Sequence, residues 1–145
     1  MYKNLLTVIL LFTVVSLFGQ VSFQNRIEME ISSDYYIDKV HSLGKDGFMI
    51  VERGQTSIKG LLEWKYEFYN SNLEKESEKS IHIGDKFRKW GEYKTKTHVH
   101  QLFKEGSGLF EVASVEMETK ELTHVKGEFA GKFKLKGFAV LGEYA

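Results

Sequence analysis

The sequence predicts an all-β chain, and three observations carry that expectation. Apolar and polar residues alternate with period two in several segments, glycine- and asparagine-containing turns punctuate them, and no apolar stripe of helical spacing runs through any of them. An aromatic fraction of 14% points the same way, since aromatic side chains favour pleated, half-buried strands. Proline is absent, which leaves Lys, Glu and Gly to protect exposed strand edges.

The first element stands outside the fold. Lys3 gives a short positive start, and Leu5 to Phe18 is an unbroken run of apolar or hydroxyl-bearing residues. The run falls short of the about 20 residues that span a bilayer comfortably and suits the core of a secretory signal. Residues 1–19 are therefore read as a signal peptide, with Gly19 at the cut and Gln20 as the new N-terminus. Export to the periplasm or the exterior follows, with membrane contact only through the signal segment. The chain has no cysteine, which rules out a thiol-lipidated lipoprotein, disulfides, thiolate metal sites and a cysteine nucleophile.

The remaining region, 20–145, reads as strands in order. In "RIEMEIS" Ile27, Met29 and Ile31 face one way and Glu28 and Glu30 the other. "DGFMIVERG" is a buried apolar strand, and in "EWKYEFY" Trp64, Tyr66 and Phe68 alternate with Lys65 and Glu67. "SNLEKESEKSIHI" is the polar second arm of a hairpin, because no apolar stripe at helical spacing crosses it. "KFRKWGEYK" reads as an edge loop around one core tryptophan, Trp90. "VASVEMET" alternates through Ala113, Val115 and Met117, and "GKFKLKG" through Phe133 and Leu135. Turns are expected at Gly44 to Gly47, Asn70 to Asn72, Gly106 to Gly108 and Glu118 to Lys120, where Gly supplies positive φ and Asn tolerates it.

These strands recur. "DGFMIVERG" (46–54) and "KGFAVLGEY" (136–144) share Gly-Phe before an apolar run, and "THVHQLFKEG" (97–106) is a looser copy between them. Each of the first two copies is followed by strand, polar turn and strand, which gives a unit of about 45 residues, the length of one four-stranded propeller blade. Blade-like copies are placed at 35–90 and 91–135, with a third starting near 136. On these residues the chain resembles secreted β-propeller repeat proteins of the kelch and WD40 kind, although it has neither a Gly-His…Trp-Asp signature nor a double glycine. The resemblance implies a platform for binding, in some cases an enzyme. The expected fold is thus an antiparallel meander of about two propeller-like blades and the start of a third; the alternative is a small β-sandwich or barrel.

No stretch carries catalytic chemistry. Lys plus Arg and Asp plus Glu are equal at 20 each, so no global field draws nucleic acid. "GSG" at 106–108 lacks the frame of a nucleophile elbow, and no phosphate loop or dinucleotide fingerprint occurs. His98 and His100 lie two apart on a strand and share a face, a spacing that could supply two metal ligands. Lys94 and Lys96 are expected on that same face and no third ligand is evident, so the pair reads as part of a solvated strand face and no cofactor or metal is assigned. His41, His82 and His124 read as ordinary surface or core residues. Carboxylates such as Glu28, Glu30, Asp34 and Asp38 are scattered and read as solvated.

The resulting expectation is an exported binding or scaffold module that takes a protein or carbohydrate ligand, forming the N-terminal part of a longer repeat protein. Two alternatives stay open: a hydrolase-type propeller enzyme with its catalytic residues in further blades, and a self-contained barrel that binds a ligand. Two blades alone are expected to leave the apolar faces of Trp64 and Phe68 exposed, together with strand edges through which the chain self-associates.

Overall fold

A computed structural model of the chain describes residues 32–106, 108–130 and 136–139, all within the unit formed by residues 31–145. The signal-peptide reading of 1–19, the strand at 27–31 and most of "GKFKLKG" lie outside the described residues. Among the described residues the protein is all-β, with eight strands and one short 3-10 turn, Gly44–Asp46. No helix there is long and apolar enough to cross a membrane.

The strands are β1 (Tyr35–Ser42), β2 (Phe48–Gly54), β3 (Leu61–Tyr69), β4 (Lys75–Gly84), β5 (Arg88–Lys94), β6 (His98–Glu105), β7 (Leu109–Glu116) and β8 (Leu122–Glu128). They form two antiparallel four-stranded sheets, ordered β1-β2-β3-β4 and β5-β6-β7-β8, each a plain sequential meander. Neither sheet closes on itself, so the described residues form no barrel. The first strands of both sheets carry a bulge: the register skips Asp38 between Ile37 and Lys39, and Trp90 between Lys89 and Gly91. An extra residue of this kind bends an edge strand and re-aims its side chains.

Alternation along the strands builds one core between the sheets. Met49 and Val51, Trp64, Tyr66 and Phe68, and Ile81 and Ile83 line one face of the first sheet. They belong to a single buried cluster with Val99, Phe103, Ala113 and Val115 of the second sheet. The Trp64 ring meets Phe103 edge to face, with centroids 4.7 Å apart, the orientation that ring quadrupoles favour. Trp64 and Phe68 are 4% and 0% exposed, against the expectation that two copies would leave them bare. The reason is that the second sheet caps the first.

The segment "KFRKWGEYK" also departs from its reading, since Arg88–Lys94 is a strand and Trp90 is exposed. Its lysines masked the pattern: at an edge strand both faces can remain polar. The expected turns at Gly44 to Gly47, Asn70 to Asn72 and Glu118 to Lys120 fall between strands as read. Gly47 has φ 113°, and a Cβ there would lie 2.0 Å from the Tyr69 carbonyl oxygen, so only glycine fits.

Candidate functional site

The meander sends four hairpin connections, β1–β2, β3–β4, β5–β6 and β7–β8, to one end of the two sheets. There they surround a cleft of about 570 Å³. Leu43 from the first connection and Met117 from the last supply apolar lining, and both pack with the inter-sheet core. Asn70, Ser71 and Thr97 add amides and hydroxyls, and Lys45, Asp46, Lys96 and Glu118 add charges of both signs. Glu76 on β4 and Lys120 in the β7–β8 connection form an ion pair that joins the two sheets across the cleft.

Backbone bonds hold the loops in place. Asn70 Oδ1 accepts from the amides of Asn72 at 2.9 Å and Glu74 at 3.0 Å, closing a local turn. Thr95 Oγ1 accepts from the His98 amide at 2.8 Å, and the Met117 amide donates to the Thr97 carbonyl at 2.7 Å, which ties the two second-sheet loops together. Thr119 Oγ1 donates to Glu116 Oε2 at 2.7 Å. The cleft is therefore preformed, which lowers the ordering cost of binding. No histidine lines it, and its Glu76 and Glu116 carboxylates are already engaged. Such a lining suits recognition of a polar ligand by paired charges and hydrogen bonds better than acid–base or nucleophilic chemistry.

A second polar group lies within the seam between the sheets, where β1 faces β5. Tyr66 Oη donates to Gln101 Oε1 at 2.8 Å, and Gln101 Nε2 donates to Glu92 Oε2 at 3.1 Å. Lys89 Nζ bonds Glu92 at 2.7 Å and also Asp38, the bulged residue of β1. Lys94 Nζ donates to the Ser42 carbonyl, a further link from β5 to β1. Burial pushes the Glu92 carboxyl upward, but the bonds from Lys89 and Gln101 and the nearby His41 outweigh it and hold Glu92 below its usual range. Burial also raises the Tyr66 phenol well above its ordinary value, so it stays a donor. His41 is 6% exposed, with Nε2 3.4 Å from Glu92 Oε2 and no hydrogen-bond partner. Burial lowers its pKa, with Glu92 opposing. Tyr66 and Gln101 lie buried while the Glu92 and Lys89 side chains are 22% and 21% exposed, and the bonds run from one sheet to the other, so the network ties the two sheets together.

The histidine pair does lie on β6, its rings stacked with centroids 5.5 Å apart. Its surroundings differ from those expected. His100 is 3% exposed and its Nδ1 bonds Ser114 Oγ at 2.8 Å, so that face is not solvated there. Lys94 stands opposite Val99 and so on the other face, while Lys96 sits in the β5–β6 connection. Burial lowers the His100 pKa, with the charge of His98 adding to it. Among the described residues no group of three or more His, Cys, Asp or Glu is placed to hold a metal ion. Of the other single histidines, His124 Nε2 lies 2.7 Å from Glu111 Oε2 on the inner face of the second sheet, and His82 lines a second cavity at the far end of the first.

Reading the sequence placed three of the four turns that surround the cleft, missed the one between β5 and β6, and did not bring them together. Leu43, Glu76, Met117 and Lys120 are separated along the chain and meet only because the two sheets face each other. Alternate odd-numbered hairpins are the signal that could have found them, since all connections of that parity fall on one side of a meander. Comparison with family models, curated proteins and solved structures found no match to this chain.

Proposed function

We propose that the chain is a non-enzymatic binding module of an exported protein, built from propeller-type four-stranded units, and that its ligand docks at the cleft of hairpin loops. One observation carries this reading: loops from both sheets converge on a preformed, mixed-charge cleft of about 570 Å³, a volume within the usual range for small-ligand sites. The propeller-type architecture is supported by three features. Both sheets are uninterrupted meanders, whereas sandwiches commonly cross between sheets in Greek-key connections. The outer face of the second sheet also receives a further part of the chain: Phe138 Cβ would lie 3.3 Å from a Cβ built on Gly91, so the missing side chain makes its seat. The bulge in the first strand of each sheet lends support to a repeated unit. Export rests on the apolar run from Leu5 to Phe18 behind Lys3.

The test is a titration of the isotopically labelled chain with a panel of soluble oligosaccharides and short peptides, followed by amide chemical shifts. A probe that binds should move Lys45, Asn70, Thr97 and Glu118, and the double variant Lys45→Glu, Lys96→Glu should weaken or strengthen binding at least tenfold according to probe charge. Binding that moves only residues remote from these loops would overturn the assignment.

A further inference from the structure

The outer face of the second sheet is built on the plan of the face that the second sheet covers. Alternation points His100 and Leu102 of β6, and Val112 and Ser114 of β7, away from the core residues Val99, Phe103, Ala113 and Val115. Register extends that outer face to Gly91 and Tyr93 of β5, opposite Leu102 and His100, and to Val125 of β8, opposite Val112. In the first sheet the residue after the bulge begins the row Lys39–Val51–Tyr66–Lys79. In the second it begins the row Gly91–Leu102–Val112–Val125. Val51 and Tyr66 belong to the core between the sheets, whereas their counterparts Leu102 and Val112 face outward. The fold thus repeats on its outside the kind of surface that joins its two sheets.

Part of that surface is covered. His100 and Leu102 are each 3% exposed, which the middle of an open sheet face does not allow unless something lies over it. Phe138 reaches this face: its Cβ would lie 3.3 Å from a Cβ built on Gly91. The placement repeats the join between the sheets, where Lys89 of β5 bonds Asp38 of β1 and Lys94 donates to the Ser42 carbonyl. Phe138 lies over β5 as β5 lies over β1. Near the opposite edge the Phe110 ring crosses Gly127 of β8, where a Cβ would be 2.3 Å from its Cζ, and packs on Phe129 with centroids 4.4 Å apart. Apart from these aromatic covers, Val125 stays 59% exposed and Tyr93 38%.

We propose that this face is a latent sheet-stacking interface for a second copy of the chain, and that Phe138 keeps it closed. The two copies meet through the same patch, an isologous contact, with their sheets face to face as the two sheets of one chain already are. The outer face of the first sheet is unsuited to this role, because Glu52, Lys65 and Glu67 stand in its rows. The rows that begin at Gly91 and Tyr93 carry neither a carboxylate nor a lysine. The proposal rests on the repeated four-stranded unit and is independent of what the hairpin cleft binds.

The test is the mass of the full chain, by size exclusion with light scattering over a range of concentrations. Phe138→Ser is expected to double the mass at concentrations at least tenfold below any at which the parent does so, and Val125→Lys in that background to reverse the change. Gly91→Val, which fills the seat of the ring, should act as Phe138→Ser does, and amide signals of β7 report whether each variant keeps its sheet. Association through the apolar run from Leu5 to Phe18 is common to parent and variants and indifferent to Val125→Lys, so it is told apart. Variants that keep their β7 signals and remain at the parent's mass would overturn the proposal, and so would a Phe138→Ser dimer that Val125→Lys leaves intact. A parent chain whose dimer Val125→Lys abolishes would show that Phe138 does not close the face. Loss of the β7 signals in both variants would make the Phe138 contact part of the core, against the proposal. None of these results bears on the cleft titration, so the binding reading stands or falls separately.

Discussion

His41 is the residue at which burial and charge oppose each other most directly. Its imidazole is 6% exposed and its Nε2 has no bonding partner, with Glu92, Lys89 and Lys94 of β5 and Lys39 of its own strand as the charges around it. Burial lowers its folded pKa below the ordinary 6.5, so between the two values the unfolded chain binds more protons than the folded one. Stability therefore falls as pH drops through the region just below 6.5. His100 acts in the same direction. Glu63, Glu67 and Glu92, held below their ordinary value of 4.5, lose their contribution only at more acid pH, so the histidine window is separate. Urea unfolding at pH 7.5 and 5.5 is expected to show lower stability at 5.5, and His41→Leu should remove at least half of that decline. Parallel pH profiles for parent and variant would assign the window to other groups.

Elements differ in how plainly the sequence announces them, and the difference has a physical cause. β3 is legible because one of its faces is wholly inside: Trp64, Tyr66 and Phe68 alternate with charged residues. β5 is not, because it is an edge strand whose residues are half-buried at most and whose register is broken at Trp90, so period two never shows. β1 fails for the same reasons, with a bulge at Asp38 and only His41 buried. Both faces of β2 are buried, and Glu52 at 6% exposed would not be placed inside by its type. It sits there because Lys65 faces it at 3.8 Å across the strands, while burial raises its pKa.

The turn between β1 and β2 provides the sharpest check at this scale. Gly47 combines a φ of 113° with a Tyr69 carbonyl oxygen 2.0 Å from any added Cβ, whereas Gly44 has a φ of 72° and open space. Strain in such backbone regions costs about 1–3 kcal/mol before any clash is added, and 1 kcal/mol moves Tm by about 4–8 °C in a domain of this size. Gly47→Ala should lower Tm by at least about 10 °C, and Gly44→Ala by less than half as much. Equal effects of the two variants in a thermal scan would mean that the close approach of β3 to this turn is not as described.

At the scale of the molecule, the decisive fact is that neither sheet has a core of its own. The apolar face of β2–β4 and that of β6–β7 complete each other, and the Tyr66–Gln101–Glu92–Lys89–Asp38 chain of bonds crosses the same seam. The cleft of hairpin loops exists because of that pairing, since its lining is drawn from both sheets. Sequence reasoning anticipated an all-β chain of alternating strands and turns, but it left Trp64 and Phe68 uncovered. Which faces meet is set by tertiary packing, and alternation within one strand carries no record of it.

The measurement that bears most directly on this shared core is equilibrium unfolding in urea with a separate probe in each sheet. In a Trp90→Phe background, Trp64 fluorescence reports the first sheet at the seam, and amide signals of β7 report the second. A shared core predicts one cooperative transition with coincident midpoints. Two transitions, with β7 losing its native signals while Trp64 remains buried, would contradict it.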